Sequence, residues 1–571
     1  MRKLSLAFLL ILLSAILLFA LPMGAQASEI YRLYVWDASH GVPKDLSVLP
    51  NQAIQWYKRG SHYYLFLPAG VDADNLFVHF TGTATSFTVN GECVENNSVT
   101  DVFVPGTDVT LRNGTNSYTV SVMQSESLDS VFVRTASGSI AYISKSKTHH
   151  ERGAVCVITS EGRKVYSNDF EYIRVRGNNS FYPYKKSFHI KLNDGYNMLD
   201  MGSSKTWLLI ANHVDNSQLR NAITFDMAYA AQMPWTPEYR CVDVYVNTNY
   251  YGTYLLTEKI QIDKSRVNIQ DLEKPTQAEN TQPVEEAKRK GTHSYRYGTQ
   301  TYYNIESNPD DITGGYLMQL ELEDRYTQSL TGFVTKHGQA IQLKSPEYIT
   351  ERQMAYISSF VQSFENAIWA EDGRDPETGK HFFDIADKDS LVGKYLIEEI
   401  SKNLDANKSS FYIFKDSDYN NDKLQFGPVW DYDNAYANFT SAFYKKTLLD
   451  PTGLHAATDS FEKYYWWPLL YQHEEFVEAV KDAYALRFRP CLEVLLGLRE
   501  ASDKTGDLKS LEDYYYYMVS SADMNFTRWR NFNSEDLPVK TGANYEENIE
   551  YLYNFLYARM EYLDSIWLDE Q

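Results

Sequence analysis

The spacing of the hydrophobic residues changes along this chain, and this change limits the possible folds more than any other feature. Up to about residue 124, short apolar runs alternate at steps of two, whereas from about residue 349 apolar residues recur at steps of three and four. Both patterns occur between these points. A period of two is typical of strands and a period near 3.6 of helices. The sequence therefore predicts an α+β protein with a β-rich start and a helical end.

The β-rich start, residues 28–125, has the pattern of a small β-sandwich. Asn90 and Gly91 form a pair that favours a two-residue hairpin turn. Short strands at regular spacing, separated by turn residues, are typical of sandwiches. We interpret this segment as an accessory or docking module. The strand-like runs are residues 31–36, 63–67, 76–80, 86–91 and 108–111.

The first 27 residues have the pattern of an export signal. Arg2 and Lys3 precede an apolar stretch over residues 4–21, and Ala25 and Ala27 frame a cleavage pattern of small residues. The alternative is a retained membrane anchor, because the stretch is nearly long enough to span a bilayer. We expect cleavage, which gives a secreted or cell-surface protein with no membrane partner.

The rest of the chain is too long for one ordinary domain. We predict a central domain over residues 126–455, in which strands and helices mix, and a helical C-terminal extension over residues 456–571. Residues 272–312 are polar and include Pro275 and Pro283, so we expect a surface insertion there.

The charge balance excludes one class of partner. The sequence has 54 basic and 75 acidic side chains among 571 residues, and its formal net charge is −21 at pH 7. Such a negative field repels a phosphate backbone, so we expect no nucleic-acid partner. A small basic pocket for a nucleotide is still compatible with this charge.

Three aspartates are the strongest candidates for chemistry. Asp405 follows the end of a predicted helix, and Asp431 and Asp433 follow the second strand of a predicted hairpin. In phosphoryl transfer, one carboxylate orients the acceptor hydroxyl while another holds Mg²⁺ against the nucleotide phosphates. The same carboxylates can serve a glycosidase as acid and nucleophile. A hairpin with solvated acids is the structural alternative.

Basic residues near position 180 are the second candidate. A predicted strand leads into Arg176 and a loop with Gly177, and the next strand carries Lys185, Lys186 and Lys191. The backbone amides of such a loop, together with a nearby lysine, suit polyphosphate binding. The alternative is a basic edge strand, whose lysines discourage pairing between sheets.

A third candidate lies at the start of a predicted helix. Asp215 and Ser217 are suitable N-cap residues, which places Arg220 on the first turn. Arg220 can bind a phosphate there or pair with an acidic side chain. A simple surface position beside the helix cap is the alternative.

Taken in order, these segments resemble the CotH (spore coat protein H) family of secreted atypical protein kinases. The resemblance covers about residues 150–450 and implies a divergent protein-kinase-like fold. It also implies transfer of the γ-phosphoryl group of ATP to Ser or Thr of a protein, with Mg²⁺ or Mn²⁺ as the metal. The matching segments are residues 176–178, 185–192, 207–212, 215–221, 246–258, 314–317, 344–346, 403–405 and 427–433.

The resemblance implies catalytic and metal-binding roles for the aspartates. Asp405 is similar to the aspartate that accepts the proton of the acceptor hydroxyl, and Asp431 to the aspartate that binds Mg²⁺. Asp433 is the alternative or second metal ligand. A typical catalytic loop has Asn five residues after its Asp, but this chain has Ser410 there, with Asn407 nearby. Either Asn407 is the second ligand, or one metal suffices, or this member is catalytically impaired.

The resemblance also implies nucleotide contacts. Either Lys186 or Lys191 would contact the phosphates, and the choice stays open because strand alternation places the two on opposite faces. Arg176, Arg220 and Glu258 are the further residues that we assign to nucleotide binding.

Two functions follow from these expectations. The first is a secreted kinase that phosphorylates Ser or Thr of an extracellular or cell-surface protein. The alternative is a catalytically inactive, kinase-like adhesion protein that recognises polysaccharide or protein. In the alternative, the β-rich module, residues 28–125, and the tyrosine-rich helical tail would bind polysaccharide or a surface protein.

Overall fold

The computed structural model describes residues 29–439, 446–458, 466–530 and 541–568. The export signal predicted for residues 1–27 lies outside this part of the chain. Strands dominate up to residue 258, strands and helices mix from there to residue 426, and only helices follow in the described ranges, which confirms the α+β class expected from the change in hydrophobic period. The kinase-like character of the central domain stays a prediction.

Residues 30–124 form two sheets. The order of the first is β2-β1-β5-β8 and that of the second is β3-β4-β10-β9-β6-β7. The predicted turn joins β6 to β7, and Asn90 and Gly91 both have the positive φ that a two-residue hairpin turn requires. The strands are β1 (Ile30–Asp37), β2 (Ile54–Gln55), β3 (Tyr57–Arg59), β4 (His62–Leu67), β5 (Leu76–Gly82), β6 (Ser86–Val89), β7 (Glu92–Glu95), β8 (Ser98–Thr100), β9 (Asp108–Asn113) and β10 (Asn116–Gln124).

A closed barrel follows these two sheets. Its strands, in sequence order, are β11 (Asp129–Thr135), β12 (Glu151–Ile158), β13 (Lys164–Val175), β14 (Phe188–Asn197), β15 (Ser203–Ile210), β16 (Tyr239–Val246) and β17 (Asn249–Glu258). The barrel order is β11-β12-β13-β14-β15-β17-β16, and β16 and β17 form an antiparallel hairpin. Ile173, Ile190 and Trp207 belong to its core. Because side chains alternate along a strand, Arg174 and His189 point outward.

The second half of the chain builds a seven-stranded sheet in the order β18-β19-β21-β22-β20-β23-β24. The segment expected to be a surface insertion, residues 272–312, supplies the edge strands β18 and β19 of this sheet. The strands are β18 (Arg289–Gly291), β19 (Gln300–Tyr303), β20 (Tyr316–Leu320), β21 (Gly332–Val334), β22 (Ala340–Ser345), β23 (Phe411–Lys415) and β24 (Leu424–Phe426).

Helices cover the sheet and fill the C-terminal part. The hydrophobic core of these helices includes residues on both sides of position 455, where we expect the central domain to end. Leu396, Trp467 and Leu552 belong to this one cluster. In the described ranges no helix is both long and apolar enough to cross a membrane. The helices are α1 (Arg220–Ala230), α2 (Glu273–Ala278), α3 (Glu323–Tyr326), α4 (Glu351–Trp369), α5 (Phe382–Ile385), α6 (Lys388–Ser401), α7 (Trp466–Leu470), α8 (Glu474–Ala483), α9 (Arg489–Leu495), α10 (Leu511–Trp529) and α11 (Tyr545–Trp567).

Candidate active site

A cavity of about 480 Å³ lies between the outer face of the barrel and one face of the seven-stranded sheet. This volume is within the range of roughly 300–1,000 Å³ that is usual for small-molecule sites. The barrel contributes Arg174, Arg176, His189 and Leu208, and the sheet contributes Gln319, Glu321, Gln342, Lys344 and Tyr412. Alternate residues of neighbouring strands share a face, which brings these polar side chains together.

The three predicted aspartates all line this cavity. Helix α6 ends at Lys402, whose left-handed conformation (φ 46°) turns the chain into the loop that carries Asp405. Strands β23 and β24 then form the predicted hairpin, and the chain returns to the cavity at Asp431 and Asp433. Asp405, Asp431 and Asp433 define what we call the acidic end of the cavity.

The loop that carries Asp405 is fixed at both ends. The Asn403 amide oxygen accepts a hydrogen bond from the backbone N–H of Asp405 (3.2 Å), and its amide nitrogen donates to Glu398 of α6 (2.8 Å). The indole N–H of Trp467 donates to the backbone carbonyl of Ala406 (2.9 Å). Helix α6 and the C-terminal helices therefore hold Asp405 from opposite sides.

The second acidic loop is linked to the first. The hydroxyl of Ser410 donates to the Asp431 carboxylate (3.1 Å), so this serine takes part in the site even though a kinase has Asn at that position. The backbone N–H of the neighbouring Tyr432 donates to the side-chain amide oxygen of Asn221 (2.7 Å), and the Tyr432 hydroxyl donates to Glu398 (2.8 Å). Glu398 thus connects both loops to α6.

The acidic end carries more negative charge than the surrounding protein compensates. Burial, with the nearby Asp431, raises the pKa of Asp405 from 3.8 to about 6, although Lys408 lowers it. Burial also raises the pKa of Asp433 well above its usual value, and Asp431 and Asp215 raise it further. A divalent cation would relieve this repulsion, which is why the acidic end fits Mg²⁺ or Mn²⁺.

The ligands that such a cation needs are only partly present. Within the described ranges, no three His, Cys, Asp or Glu side chains are close enough to hold a metal ion by themselves. Mg²⁺ commonly takes one or two carboxylates and completes its shell with substrate phosphates and water. Asp431 and Asp433 therefore fit a metal that is bound together with a phosphorylated substrate.

Positively charged side chains line the rest of the cavity. Lys259, which directly follows β17, and Lys344 of β22 both expose their side chains there. In the described part of the chain, neither ammonium group has a hydrogen-bond or ion-pair partner. Burial within the surrounding protein lowers the pKa of Lys259, and the charges of Lys344 and Arg174 lower it further. The other cationic side chains that line the cavity are Lys147, Arg176 and Arg325.

Of the residues assigned to nucleotide binding, the structure brings only Arg176 to the cavity. Its guanidinium lies over the ring of Trp430 (5.8 Å), and burial lowers its pKa while Asp431 raises it. Lys186 lies outside the lining, where its ammonium donates to the backbone carbonyl of Phe181 (2.6 Å). Lys191 is also outside and forms an exposed ion pair with Glu171 (3.0 Å).

Two further predicted residues, Arg220 and Glu258, are buried elsewhere. Arg220 pairs with Asp215, with both side chains fully buried, and donates to the backbone carbonyl of Ala435 (3.1 Å). It therefore braces the chain just after Asp433 and does not face the cavity. Glu258 pairs with Arg266, and burial raises its pKa to about 7.

Asn407 does not reach the acidic end either. Its side-chain amide donates to the backbone carbonyl of Ala456 (3.1 Å), and the residue is buried. In this structure it anchors the Asp405 loop to the segment that precedes α7. Ser410, which occupies the position of the expected Asn, lines the cavity, whereas Asn407, the candidate for the second metal ligand, does not.

The sequence reasoning missed the residues of the cationic lining. Lys344 begins the Lys-Ser-Pro segment at 344–346, and Lys259 directly follows Glu258, so both lay within or beside segments that carry the resemblance. Neither has a local motif that marks it as a ligand. Glu321 was also missed, although it is 5% exposed, lines the cavity and has a carboxylate oxygen with no hydrogen-bond partner among the described residues.

The sequence model described as CotH kinase protein matches residues 173–563. The chain belongs to the CotH family. The match covers more than half of the chain and contains every residue of the acidic end. It also continues past residue 455, so the C-terminal helices α7 to α11 lie within or overlap the matched region.

Other comparisons add little to this CotH protein. No curated protein matches the chain. Among solved structures, it is similar to a crystal structure at 2.05 Å resolution of a protein from Bacteroides thetaiotaomicron VPI-5482, provisionally assigned as a glycoside hydrolase. The identity is 14%, the TM-score is 0.12, and the alignment covers 30% of this chain and 54% of that chain. A similarity this weak supports no conclusion about fold or activity.

Proposed function

We propose that this CotH protein is a secreted protein kinase that transfers the γ-phosphoryl group of ATP to a Ser or Thr hydroxyl of an extracellular or cell-surface protein. The observation that supports this best is a single cavity with three aspartates at one end and several cationic side chains, among them Lys259 and Lys344, along the rest. Phosphoryl transfer needs both, because one group must receive a proton while others hold a multiply charged phosphate chain.

Asp405 is the group that we assign to the proton. The acceptor oxygen bonds to the γ-phosphorus as the bond between that phosphorus and the β,γ-bridging oxygen breaks, and the hydroxyl proton moves to the Asp405 carboxylate. A pKa of about 6 leaves this carboxylate ionised at neutral pH and still basic enough to accept the proton. The Asn403 and Trp467 contacts hold the loop in place for this role.

Asp431 and Asp433 would hold the divalent cation, which when bound neutralises part of the phosphate charge. Ser410 orients the Asp431 carboxylate through its hydroxyl. Arg176 lines the same cavity as Asp431, and its guanidinium lies over the ring of Trp430, the residue that precedes Asp431. It is therefore suited to contact the transferred group.

The test is transfer of labelled phosphate from ATP by purified residues 28–571, with Mg²⁺ or Mn²⁺ and a generic protein acceptor. We expect label on the acceptor or on the protein itself, and at least a 100-fold loss in Asp405→Asn and Asp431→Asn. The matched control is Asp194→Asn, which changes an exposed carboxylate that does not line the cavity. Equal labelling by all three variants would exclude this site.

The same experiment addresses the alternative function. A protein that gains thermal stability from ATP but labels nothing would be a binding protein with a kinase-like site. A protein that neither gains thermal stability from ATP nor labels an acceptor would favour the adhesion function. In that case binding of polysaccharide to residues 28–125, tested within the full chain, would be the next measurement.

A further inference from the structure

The loop that carries Asp405 has a further support, in residues 447–457, which we call the bridging segment. The His455 ring contacts the backbone carbonyl of Asn403 through Nε2 (2.8 Å). A carbonyl only accepts, so the ring nitrogen is the donor. The side-chain amide of Asn407 donates back to the backbone of the bridging segment (3.1 Å). The bridging segment therefore contacts the loop on both sides of Asp405.

Glu399 of α6 holds the bridging segment by its backbone. The Oε1 atom of Glu399 accepts from the backbone N–H of His455 (2.5 Å), and Oε2 accepts from that of Ala457 (3.2 Å). The Glu399 side chain is fully buried. A buried carboxylate needs a cationic partner, because an isolated charge is costly to remove from water.

Arg559 of α11 is that partner, although it is 160 residues away in the sequence. Its Nη2 atom donates to the Glu399 carboxylate (2.7 Å) and to the backbone carbonyl of the same residue (2.8 Å). Its Nη1 atom donates to the backbone carbonyls of Pro451 (2.7 Å) and Gly453 (2.8 Å). One planar guanidinium thus joins α11, the end of α6 and the bridging segment, which a lysine ammonium cannot reproduce.

Lys402 fixes the first half of the bridging segment. Its ammonium donates to the backbone carbonyls of Thr447 (3.0 Å), Asp450 (2.6 Å) and Thr452 (2.8 Å). Burial lowers the pKa of Lys402 to about 8, and the charge of Arg559 lowers it further. Two neighbouring cations, one from α6 and one from α11, therefore hold the same short stretch of backbone.

We propose that Arg559 and His455 are positioning residues for phosphate transfer. Neither lines the cavity, so both act on the reaction through other residues. Arg559 holds the bridging segment against Glu399, and His455 passes this restraint to Asn403, whose side chain binds the backbone N–H of Asp405. Helix α11 is therefore a working part of the active site. The inference rests on the proposed function only in naming the reaction.

The first test compares two substitutions of His455 in residues 28–571. His455→Leu removes the donor to Asn403 without leaving a buried charge, whereas His455→Gln keeps an N–H at a similar position. We expect kcat for transfer to fall at least about ten-fold in His455→Leu and to recover in His455→Gln, because small displacements of a catalytic group are costly. KM for ATP should stay within about two-fold in both variants, since the cavity lining is unchanged.

The second test needs no activity. Amide hydrogen exchange over residues 403–409, without nucleotide, should be at least about five-fold faster in His455→Leu and in Arg559→Lys than in the unchanged protein. His455→Gln should stay close to the unchanged protein. Rates of transfer are divided by the folded fraction from thermal unfolding, which separates loss of position from loss of stability.

The control is Arg489→Met, which breaks the ion pair of Arg489 with Asp564 of α11 (3.1 Å) and does not involve the bridging segment. Its kcat and its exchange over residues 403–409 should stay within about two-fold of the unchanged protein. Unaltered exchange in both His455→Leu and Arg559→Lys, or a loss of kcat no larger than in the control, would overturn the inference. Faster exchange in a protein that transfers no phosphate would refute the kinase and keep the link from α11 to the Asp405 loop.

Discussion

Asp405 should reduce the stability of the folded protein, and its replacement by Asn should therefore stabilise the protein while abolishing transfer. Its pKa is about 6 in the folded state and 3.8 in the reference state, with burial as the main cause. The folded protein therefore binds this proton more tightly than the unfolded chain does. Wild-type stability consequently falls as the pH rises from about 4 to about 6.

The magnitude follows from the size of the shift. Each pKa unit corresponds to about 1.4 kcal/mol, so a shift of about two units costs about 3 kcal/mol once the carboxylate is fully ionised. Asp405→Asn removes this cost at pH 7.5. At pH 4.5 most of the carboxyl groups are protonated in the folded state, and the gain should fall to about 1 kcal/mol.

The assay is thermal unfolding at pH 7.5 and pH 4.5, with a chelator and without nucleotide, for the unchanged protein, Asp405→Asn and Asp194→Asn. We expect a higher melting temperature for Asp405→Asn at pH 7.5 and a much smaller gain at pH 4.5. Asp194→Asn changes an exposed carboxylate and should alter stability by less than about 0.5 kcal/mol. A lower melting temperature for Asp405→Asn at pH 7.5, or a gain independent of pH, would refute the reasoning.

Three further predictions follow from the same site. If the ionised Asp405 accepts the proton, kcat/KM for transfer should fall about ten-fold between pH 7 and pH 5, and a flat profile would contradict that role. Arg220→Met leaves Asp215 buried without its partner and should cost about 3–5 kcal/mol of stability in thermal unfolding; Lys191→Met, which breaks an exposed pair, should cost less than about 1 kcal/mol. Ser410→Ala removes the hydrogen bond to Asp431, so the Mg²⁺ concentration for half-maximal transfer should rise about five-fold, while Ser410→Thr keeps a hydroxyl and should stay near the unchanged value.

Features that depend on neighbouring residues were visible in the sequence. The helix predicted from residue 349 is α4, because its apolar residues repeat at helical spacing and Thr350 caps its first turn. The hairpin of β23 and β24 was also predicted. It returns the chain to the cavity, and only 26 positions separate Asp405 from Asp431, so the two could be expected to lie together.

Roles that depend on contacts between residues far apart along the chain could not be predicted from the sequence. From the sequence, Arg220 could bind a phosphate, pair with an acidic side chain or lie on the surface. The structure shows the second of these, because Arg220 is buried beside Asp215 and a buried guanidinium needs a counterion. Lys186 and Lys191 carry the right charge, but both lie outside the cavity: Lys186 precedes β14 and donates to the backbone carbonyl of Phe181, and Lys191 of β14 pairs with Glu171.

The sequence by itself determined the α+β class, the family and the candidate site aspartates, because each was recognised from short segments of neighbouring residues. The tertiary structure decided which basic residues accompany those aspartates. Lys259 and Lys344 are separated by 85 positions, and they meet only because the barrel and the seven-stranded sheet face each other across one cavity. Side-chain alternation fixes the face each residue occupies, but only packing of the two sheets determines what lies opposite.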